Sequence, residues 1–245
     1  MNYKKYVFKY ATEFIVIVVG ISASFWFESY RSSLEEKHDG IEALISINKE
    51  LIDVEEYYTE RETIWKHDLN VISTINDLSL PNRAFIVDSI CKTKDDIEIA
   101  VFNYRGFTPP NERYNSIVSE GTLKHIESDK IKTLLSKLHV QYLEMVQGNE
   151  KDEVIAQRNI VEHCQKKYPE ITFSFSDIKD SKSDYINKCI KAIDNDSHLR
   201  AMIRYKNDVM GFKFMFLLEY IKLEKELRNE IKIFLKNNSD KKIFF

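Results

Sequence analysis

The chain has 245 residues and a formal net charge of −3, and 43% of its residues are hydrophobic. That hydrophobic fraction is enough for a packed core and excludes wholesale disorder, although 31% of the residues are charged. The weak negative charge lacks the basic excess with which nucleic-acid-binding proteins gather phosphates, so nucleic acid is not an expected partner. Only six Gly and four Pro are present, which favours long helices and predicts an all-α fold.

The N-terminal residues predict a transmembrane helix. Residues 6–27 would form about 33 Å of helix, enough to cross the hydrocarbon core of a bilayer. Lys9 and Glu13 interrupt the first half of this segment, four residues apart on one helix face, whereas the second half carries no charge. Trp26 and Phe27 are typical of the aromatic belt at a membrane interface. We therefore expect a single-pass anchor at residues 1–28 and a soluble helical domain at residues 29–245.

Two other interpretations of this segment stay open at the level of sequence. Ser22 and Ser24 have the spacing of a signal-peptidase site, so the segment could be a cleavable signal peptide. It could also be a core helix of a soluble protein, although such a helix rarely lacks a polar face over so long a run. The apolar run continues through Phe27, which favours an uncleaved signal-anchor.

The flanking charges predict the orientation of this anchor. Lys4, Lys5 and Lys9 precede the apolar run, whereas Arg31 and Lys37 are the nearest basic residues after it. Basic residues favour the cytoplasmic side of a membrane. We expect the N-terminus in the cytoplasm and, in a Gram-negative source, the C-terminal domain in the periplasm, held at the inner membrane.

One face of the predicted anchor carries small and polar residues. Glu13, Ile17, Gly20 and Ser24 recur at spacings of three and four residues, so they share this face. Gly20 and Ser24 form a pair of small residues that lets a second helix approach closely, and Glu13 would seek a partner across that contact. The face therefore predicts a homo-oligomer formed through the anchor. The alternative is a lone anchor that merely tolerates these residues.

After the anchor, the sequence predicts a first long helix and two short ones. Apolar residues recur every three or four positions over residues 29–78, and the anchor could continue into this helix without a break. Pro81 ends it, because proline disfavours helix at the residue before it and cannot extend the hydrogen-bond ladder. Residues 84–101 contain two short apolar runs, which we interpret as short helices rather than strands because turn signals between them are absent.

The second half of the chain predicts further helices. A helix that starts after Asn111 should close at Gly121, because glycine readily adopts the left-handed conformation at a helix end. Another begins at Asp129, with Gly148 ending or kinking it, and residues 152–167 form the next. The last long helix covers residues 197–237. Because it matches residues 29–78 in length, we expect a bundle built on these two long helices in antiparallel arrangement.

The three cysteines predict neither a disulfide framework nor a metal site. Cys91, Cys164 and Cys189 are odd in number and lack the spacing of zinc ligands. Buried free thiols are the favoured interpretation, and one disulfide with a spare thiol is the alternative in an oxidising compartment. We expect no metal and no other cofactor.

The anchor and a central segment resemble a known group of sequences. Residues 13–28 read EFIVIVVGISASFWFE, and at residues 114–126 a helix led by Tyr114 ends at Gly121, followed by an apolar residue. Both features resemble an uncharacterised family of small bacterial proteins, and the resemblance covers about half of the chain. It implies a membrane anchor and a helical domain. It implies no activity, substrate or catalytic residue.

One short motif points to chemistry. Arg158, Asn159 and His163 resemble the RNxxxH signature of the HEPN ribonucleases, all-α domains that dimerise around this motif. By that resemblance Arg158 would stabilise charge on a phosphate, Asn159 would contact the substrate, and His163 would act as acid or base. The five-residue offset places Arg158 and His163 apart on a regular helix, so convergence requires a bend or a helix end near His163. A motif this short also arises easily by chance.

Two functions are therefore predicted from different classes. The first is a membrane-anchored scaffold, sensor or accessory subunit that acts through protein-protein contacts and is not an enzyme. The second is a membrane-associated defence effector, either a HEPN-like ribonuclease or an oligomeric pore. The side of the membrane on which the domain lies separates them, because a periplasmic domain meets little RNA.

Overall fold

The computed structural model describes residues 3–172 and 180–239. The chain is 87% helical with no strand in these residues, so the predicted all-α class is confirmed. The expected first residues of the anchor and the end of the domain at Phe245 lie outside the described residues. The helices are α1 (Tyr3–Asn76), α2 (Arg83–Ile90), α3 (Lys94–Phe102), α4 (Glu112–Ser119), α5 (Asp129–Ser136), α6 (Leu143–Lys167), α7 (Lys182–Asn195) and α8 (Ser197–Ser239).

Helix α1 is a single helix of 74 residues, about 110 Å long, that joins the predicted anchor to the domain. No proline occurs before Pro81, so nothing breaks the hydrogen-bond ladder. The helix ends five residues before Pro81, where the sequence predicted a stop, and Asn82 has the left-handed φ of 54°. Every side chain from Thr12 to Ser33 is exposed, and Gly40 is the first buried residue after this stretch. We call residues 3–33 the arm, because they extend beyond the rest of the fold.

Two apolar cores follow one another along the domain. The near core, which begins at Ala43, combines α1 with α4, α5 and the C-terminal half of α8. The far core, which begins at Val71, combines the end of α1 with α2, α3, α7 and the first turns of α8. Helix α6 contributes to both, with Val146 in the near core and Ile160 in the far core. The near core is therefore the half of the domain next to the arm.

Side-chain contacts define how α8 lies on α1. Ser73 donates a hydrogen bond of 2.8 Å to Asn207, and Tyr58 donates one of 2.9 Å to Glu224. Residue numbers thus fall along α8 as they rise along α1. The last turns of α8 consequently lie beside the part of α1 that is closest to the arm, where Asn238 and Leu34 line the same groove.

A close backbone contact fixes the arm-side end of the near core. A short 3-10 turn, Thr122–His125, crosses α1 at Gly40. A Cβ atom placed on Gly40 would lie 2.3 Å from the carbonyl oxygen of His125, well inside van der Waals distance. Only glycine allows this crossing without displacing backbone.

Several local predictions are confirmed. Residues 84–101 form the short helices α2 and α3 rather than strands. Helix α4 begins after Asn111 and is followed by Gly121, whose φ of 72° is the left-handed conformation expected of a closing glycine. The three cysteines are buried free thiols.

The prediction at Gly148 is wrong. Helix α6 runs from Leu143 to Lys167 without a break, so Gly148 lies inside a helix, and residues 152–167 are not a separate one. The irregularity lies earlier, in a π-helical segment at Lys137–Tyr142 that joins α5 to α6. Helix α7 was not predicted, although its buried residues Tyr185, Ile186, Cys189, Ile190 and Ile193 recur at helical spacing.

Candidate functional site

The anchor face predicted from sequence lies wholly on the exposed arm. Ile17 is 60% exposed, and a Cβ atom on Gly20 would meet nothing within 4 Å. The Ser24 hydroxyl donates a 2.9 Å hydrogen bond to the carbonyl of Gly20, which satisfies it within the helix. Glu13 lies 3.9 Å from the ammonium of Lys9, as the four-residue spacing predicted. The structure thus brings the four residues to one side of α1 and leaves that side open.

The arm also exposes a long apolar surface. One helix of the described part, α1, is long and apolar enough to cross a membrane, and none of its most apolar stretch is buried. The large side chains of this stretch range from 43% exposed at Val18 to 71% at Trp26. A contiguous apolar surface of this extent marks a membrane or protein contact.

Of the RNxxxH residues on α6, Arg158 and Asn159 are exposed and His163 is partly buried, and the structure brings only two of the three together. Asn159 and His163 line one shallow groove, together with His198 and Met202 of α8. Arg158 is exposed but does not line this groove. At about 100° per residue, Arg158 and His163 lie about 140° apart around α6. The helix continues to Lys167, so no bend near His163 removes this separation.

His163 is held by a buried carboxylate that sequence reasoning missed. The ring Nε2 of His163 lies 2.8 Å from Asp196, and Lys167 donates to the same oxygen at 2.8 Å. The other oxygen of Asp196 accepts the backbone N–H groups of His198 and Leu199 and so caps the start of α8. Burial opposes ionisation of Asp196, but the hydrogen bonds from Lys167, His163 and the backbone outweigh it and lower the pKa. Asp196 directly precedes Ser197, where the last long helix was predicted to start. An aspartate at that position indicates a helix cap, and this was the signal from which the role of Asp196 could have been predicted.

A second cluster of buried charges surrounds the irregular segment between α3 and α4. The Lys213 ammonium contacts Glu153, donates to the carbonyl of Arg105 at 3.0 Å and lies 4.0 Å above the ring centroid of Trp65. Lys206 donates to the carbonyls of Val101 and Asn103, and burial lowers its pKa to about 8.

Carboxylates bind N–H groups in the same segment and in the first turn of α4 that follows it. Glu150 accepts the N–H of Phe107 at 2.8 Å, and Glu50 accepts those of Arg113 and Tyr114 at 2.6 and 3.1 Å. The buried charges therefore replace the hydrogen bonds that regular structure would supply. Their partners are backbone atoms of the protein itself, which assigns them to the fold rather than to a ligand.

The first half of α8 presents an exposed apolar strip. Tyr205, Phe212, Met215 and Leu218 recur at spacings of seven and three residues and are 41–55% exposed. The strip is a second surface on which a protein partner could pack.

Metal and thiol chemistry find little support in the described part. Residues 3–172 and 180–239 contain no group of three or more His, Cys, Asp or Glu side chains that could hold a metal ion. Burial raises the pKa of the Cys91 and Cys164 thiols to about 12, which keeps them protonated and unreactive at neutral pH.

Comparisons with known proteins give no relative. Family models, curated proteins and solved structures each yield no match to this chain. The resemblance drawn from residues 13–28 and 114–126 therefore stays a prediction.

Proposed function

We propose that the protein is a single-pass membrane protein whose helical domain acts as a scaffold, sensor or accessory subunit. Residues 1–28 are the anchor, and residues 29–245 form the soluble bundle on two long antiparallel helices. The observation that carries this proposal is the uncovered apolar arm, which continues without a break into the core helix of the domain. A bilayer would bury that apolar surface, and the helix satisfies its own backbone hydrogen bonds there.

Membrane extraction tests the anchor. Val18→Lys combined with Val19→Lys places two charges in the centre of the apolar run, at a cost of about 5–7 kcal/mol on insertion scales. We expect the wild-type chain to stay in the membrane fraction through alkaline carbonate washing and the double variant to be released. Ile52→Lys is the matched control, since it adds charge at a 46% exposed position on the domain part of the same helix. Release of the wild-type chain would refute the anchor.

Orientation separates the two predicted functions. We propose the N-terminus in the cytoplasm and the domain in the periplasm, as the lysines before the apolar run favour. A periplasm-dependent reporter fused after Phe245 should be active, and a cytoplasm-dependent reporter at the same point should be inactive. The reverse pattern would move the domain into the cytoplasm and favour the effector.

In this proposal, copies of the chain pair through the anchor face and form a homo-oligomer. Gly20→Cys should form a disulfide-linked dimer in native membranes, because the open surface at Gly20 allows a second helix to approach closely. Ile15→Cys is the control, because it lies about 170° from the centre of the face on the same helix. Equal crosslinking at both positions, or none at Gly20, would contradict pairing through this face.

The apolar strip on α8 is the proposed contact for a different protein. Phe212→Glu with Met215→Glu should remove a co-purifying partner from a mild-detergent preparation, because both side chains are exposed apolar groups. Ile155→Glu, at a 54% exposed apolar position on α6, is the control for a general effect of added charge. Retention of every co-purifying protein by the double variant would exclude this strip as the contact.

The ribonuclease is the alternative function, and one observation favours it. Asn159 and His163 line a common groove with His198. The groove therefore contains two imidazole side chains, whereas the motif itself supplies only one. His163→Ala should then abolish RNA cleavage or toxicity. Unchanged toxicity in that variant would mean that His163 serves only to bind Asp196. An oligomeric pore would then be the remaining effector function.

A further inference from the structure

Two histidines from different helices meet in the groove between α6 and α8. His163 of α6 and His198 in the first turn of α8 have ring centroids 5.1 Å apart. Both rings line one groove of about 350 Å³ together with Asn159 and Met202. Two imidazoles that bind one metal ion, each through a nitrogen at about 2.0–2.1 Å, place their ring centroids roughly 5 Å apart. The observed separation is therefore that of two ligands of a common ion.

A buried carboxylate orients one of these rings. Nε2 of His163 lies 2.8 Å from the Asp196 carboxylate, whose side chain is 4% exposed. With the proton on Nε2, the ring donates to Asp196, and Nδ1 is the unprotonated nitrogen that can bind a metal ion. Histidines that bind metals usually donate their other N–H group to a carboxylate or carbonyl in this way.

The third ligand available in this groove is a thioether. Met202 is partly buried and lies four residues after His198, on the same face of α8. Residues 3–172 and 180–239 contain no group of three His, Cys, Asp or Glu side chains that could hold a metal ion, which argues against zinc at this groove. Imidazole binds several transition metals, whereas the soft thioether sulfur selects Cu⁺.

The charges around the groove are balanced. The Lys166 ammonium lies 2.7 Å from Glu162, and the Lys167 ammonium lies 2.8 Å from Asp196. Each ammonium group is thus paired with a carboxylate. When both imidazoles are neutral, a cation that enters the groove meets no net positive charge.

We infer that His163, His198 and Met202 form a Cu⁺ site that joins α6 to the start of α8. This inference goes beyond the proposed function and does not depend on the anchor. Because the ligands come from two helices, bound Cu⁺ would hold the first turns of α8 against α6.

Competition for Cu⁺ tests the site in the full chain. The protein in mild detergent is mixed, without oxygen, with the Cu⁺ complex of bicinchoninate, whose absorbance falls as the protein removes the metal. We expect the wild-type chain to remove one Cu⁺ per chain. His198→Ala, at an exposed position, and Met202→Leu, which nearly conserves side-chain volume, should each lose this uptake. His38→Ala and Met215→Leu change exposed residues outside the groove and should retain it.

A further variant tests the role of the carboxylate. Asp196→Asn keeps a side chain that can cap α8, but it no longer offers His163 an anionic acceptor, so the affinity for Cu⁺ should fall by about 10–100-fold. Unchanged circular dichroism of each variant would show that its helices are intact.

Two outcomes would overturn the inference. The first is a wild-type chain that takes up no Cu⁺. The second is full uptake by both His198→Ala and Met202→Leu, which would assign the metal to the buried thiols instead.

Discussion

Buried charges in this protein lie where the backbone lacks regular partners. Lys206 and Lys213 bind backbone carbonyls at the end of α3 and in the segment that follows it, and Glu50 binds backbone N–H groups in the first turn of α4. Each ion would be costly to bury alone, but each one satisfies carbonyl or N–H groups that are also costly to leave unpaired. At the scale of residues, the irregular segment and the charges around it stabilise each other.

Removing one member of the buried ion pair should be worse than removing both. Glu153→Leu leaves the Lys213 ammonium buried without its carboxylate, and we expect a loss of about 3–5 kcal/mol in the free energy of unfolding. Adding Lys213→Met should recover much of that loss, because the uncompensated charge is then gone. Urea unfolding of the full chain in detergent, followed by circular dichroism, measures both. A double variant no more stable than Glu153→Leu would show that Lys213 is held by the Arg105 carbonyl and Trp65 instead.

His139 should make the domain sensitive to acid. Its ring stacks on Tyr114 with centroids 3.9 Å apart, and neither ring nitrogen has a hydrogen-bond partner. Burial lowers its pKa to about 4, below the value of about 6.5 expected for the unfolded chain. The stability that neutral His139 provides is therefore complete above pH 6.5 and is lost as the pH falls toward 4, by up to about 1.4 kcal/mol per pH unit.

Replacing His139 by Phe should remove this sensitivity. His139→Phe keeps a ring against Tyr114 and has no nitrogen to protonate, so the difference in unfolding free energy between pH 7.5 and pH 5 should shrink. His38→Phe is the control, because His38 is an exposed side chain of α1. An undiminished difference in His139→Phe would assign the acid sensitivity to another group.

At the scale of elements, Gly40 is the position where α1 tolerates no side chain. Gly40→Ala brings a Cβ atom against the His125 carbonyl, which belongs to backbone and cannot rotate away. We expect a loss of about 1–3 kcal/mol, typical of overpacking. Gly211→Ala is the matched control, since it lies inside α8 with nothing within 4 Å and should gain up to about 1 kcal/mol from helix propensity. Equal stability of the two variants in thermal unfolding would show that the turn at Thr122–His125 can shift.

The elements differ in how far the sequence determines them. Pro81 and Gly121 act through their own backbone geometry, so the helix ends beside them could be predicted from local sequence. Gly148 offered the same kind of signal, but packing of α6 against α8 overrides the modest helix penalty of one glycine. No residue type marks the π-helical segment before it. A π-helical segment accommodates an extra residue in the helix, which changes which of the later side chains face the core but requires no particular amino acid.

The candidate sites show the same limit. The exposed anchor face could be found from sequence because Glu13, Gly20 and Ser24 lie within three turns of one helix. The carboxylate that holds His163 comes from residue 196, on a different element, and only the packing of α6 beside the start of α8 brings the two together. Contacts between distant elements are not determined by periodicity.

At the scale of the whole molecule, the unbroken α1 would couple the proposed anchor to the domain as one rigid helix. Glu13 and Lys49 are 36 residues apart, which is ten full turns, so they point the same way around the helix axis. Lys49 is exposed, and the core-facing residues lie on the other side of α1. Pairing of two anchors would therefore determine which sides of the two domains face each other.

Insertions in the exposed stretch before Leu34 test this torsional coupling. One alanine inserted after Ser32 turns the domain by about 100° relative to the anchor, whereas seven alanines return it to within about 20°. In an anchor-paired oligomer, crosslinking of Lys49→Cys to its copy should fall with one inserted alanine and recover with seven. Crosslinking that declines steadily with insert length would mean that α1 bends. A rigid α1 would instead transmit a small rotation of the anchor within the bilayer to Lys49, about 40 Å away, without loss.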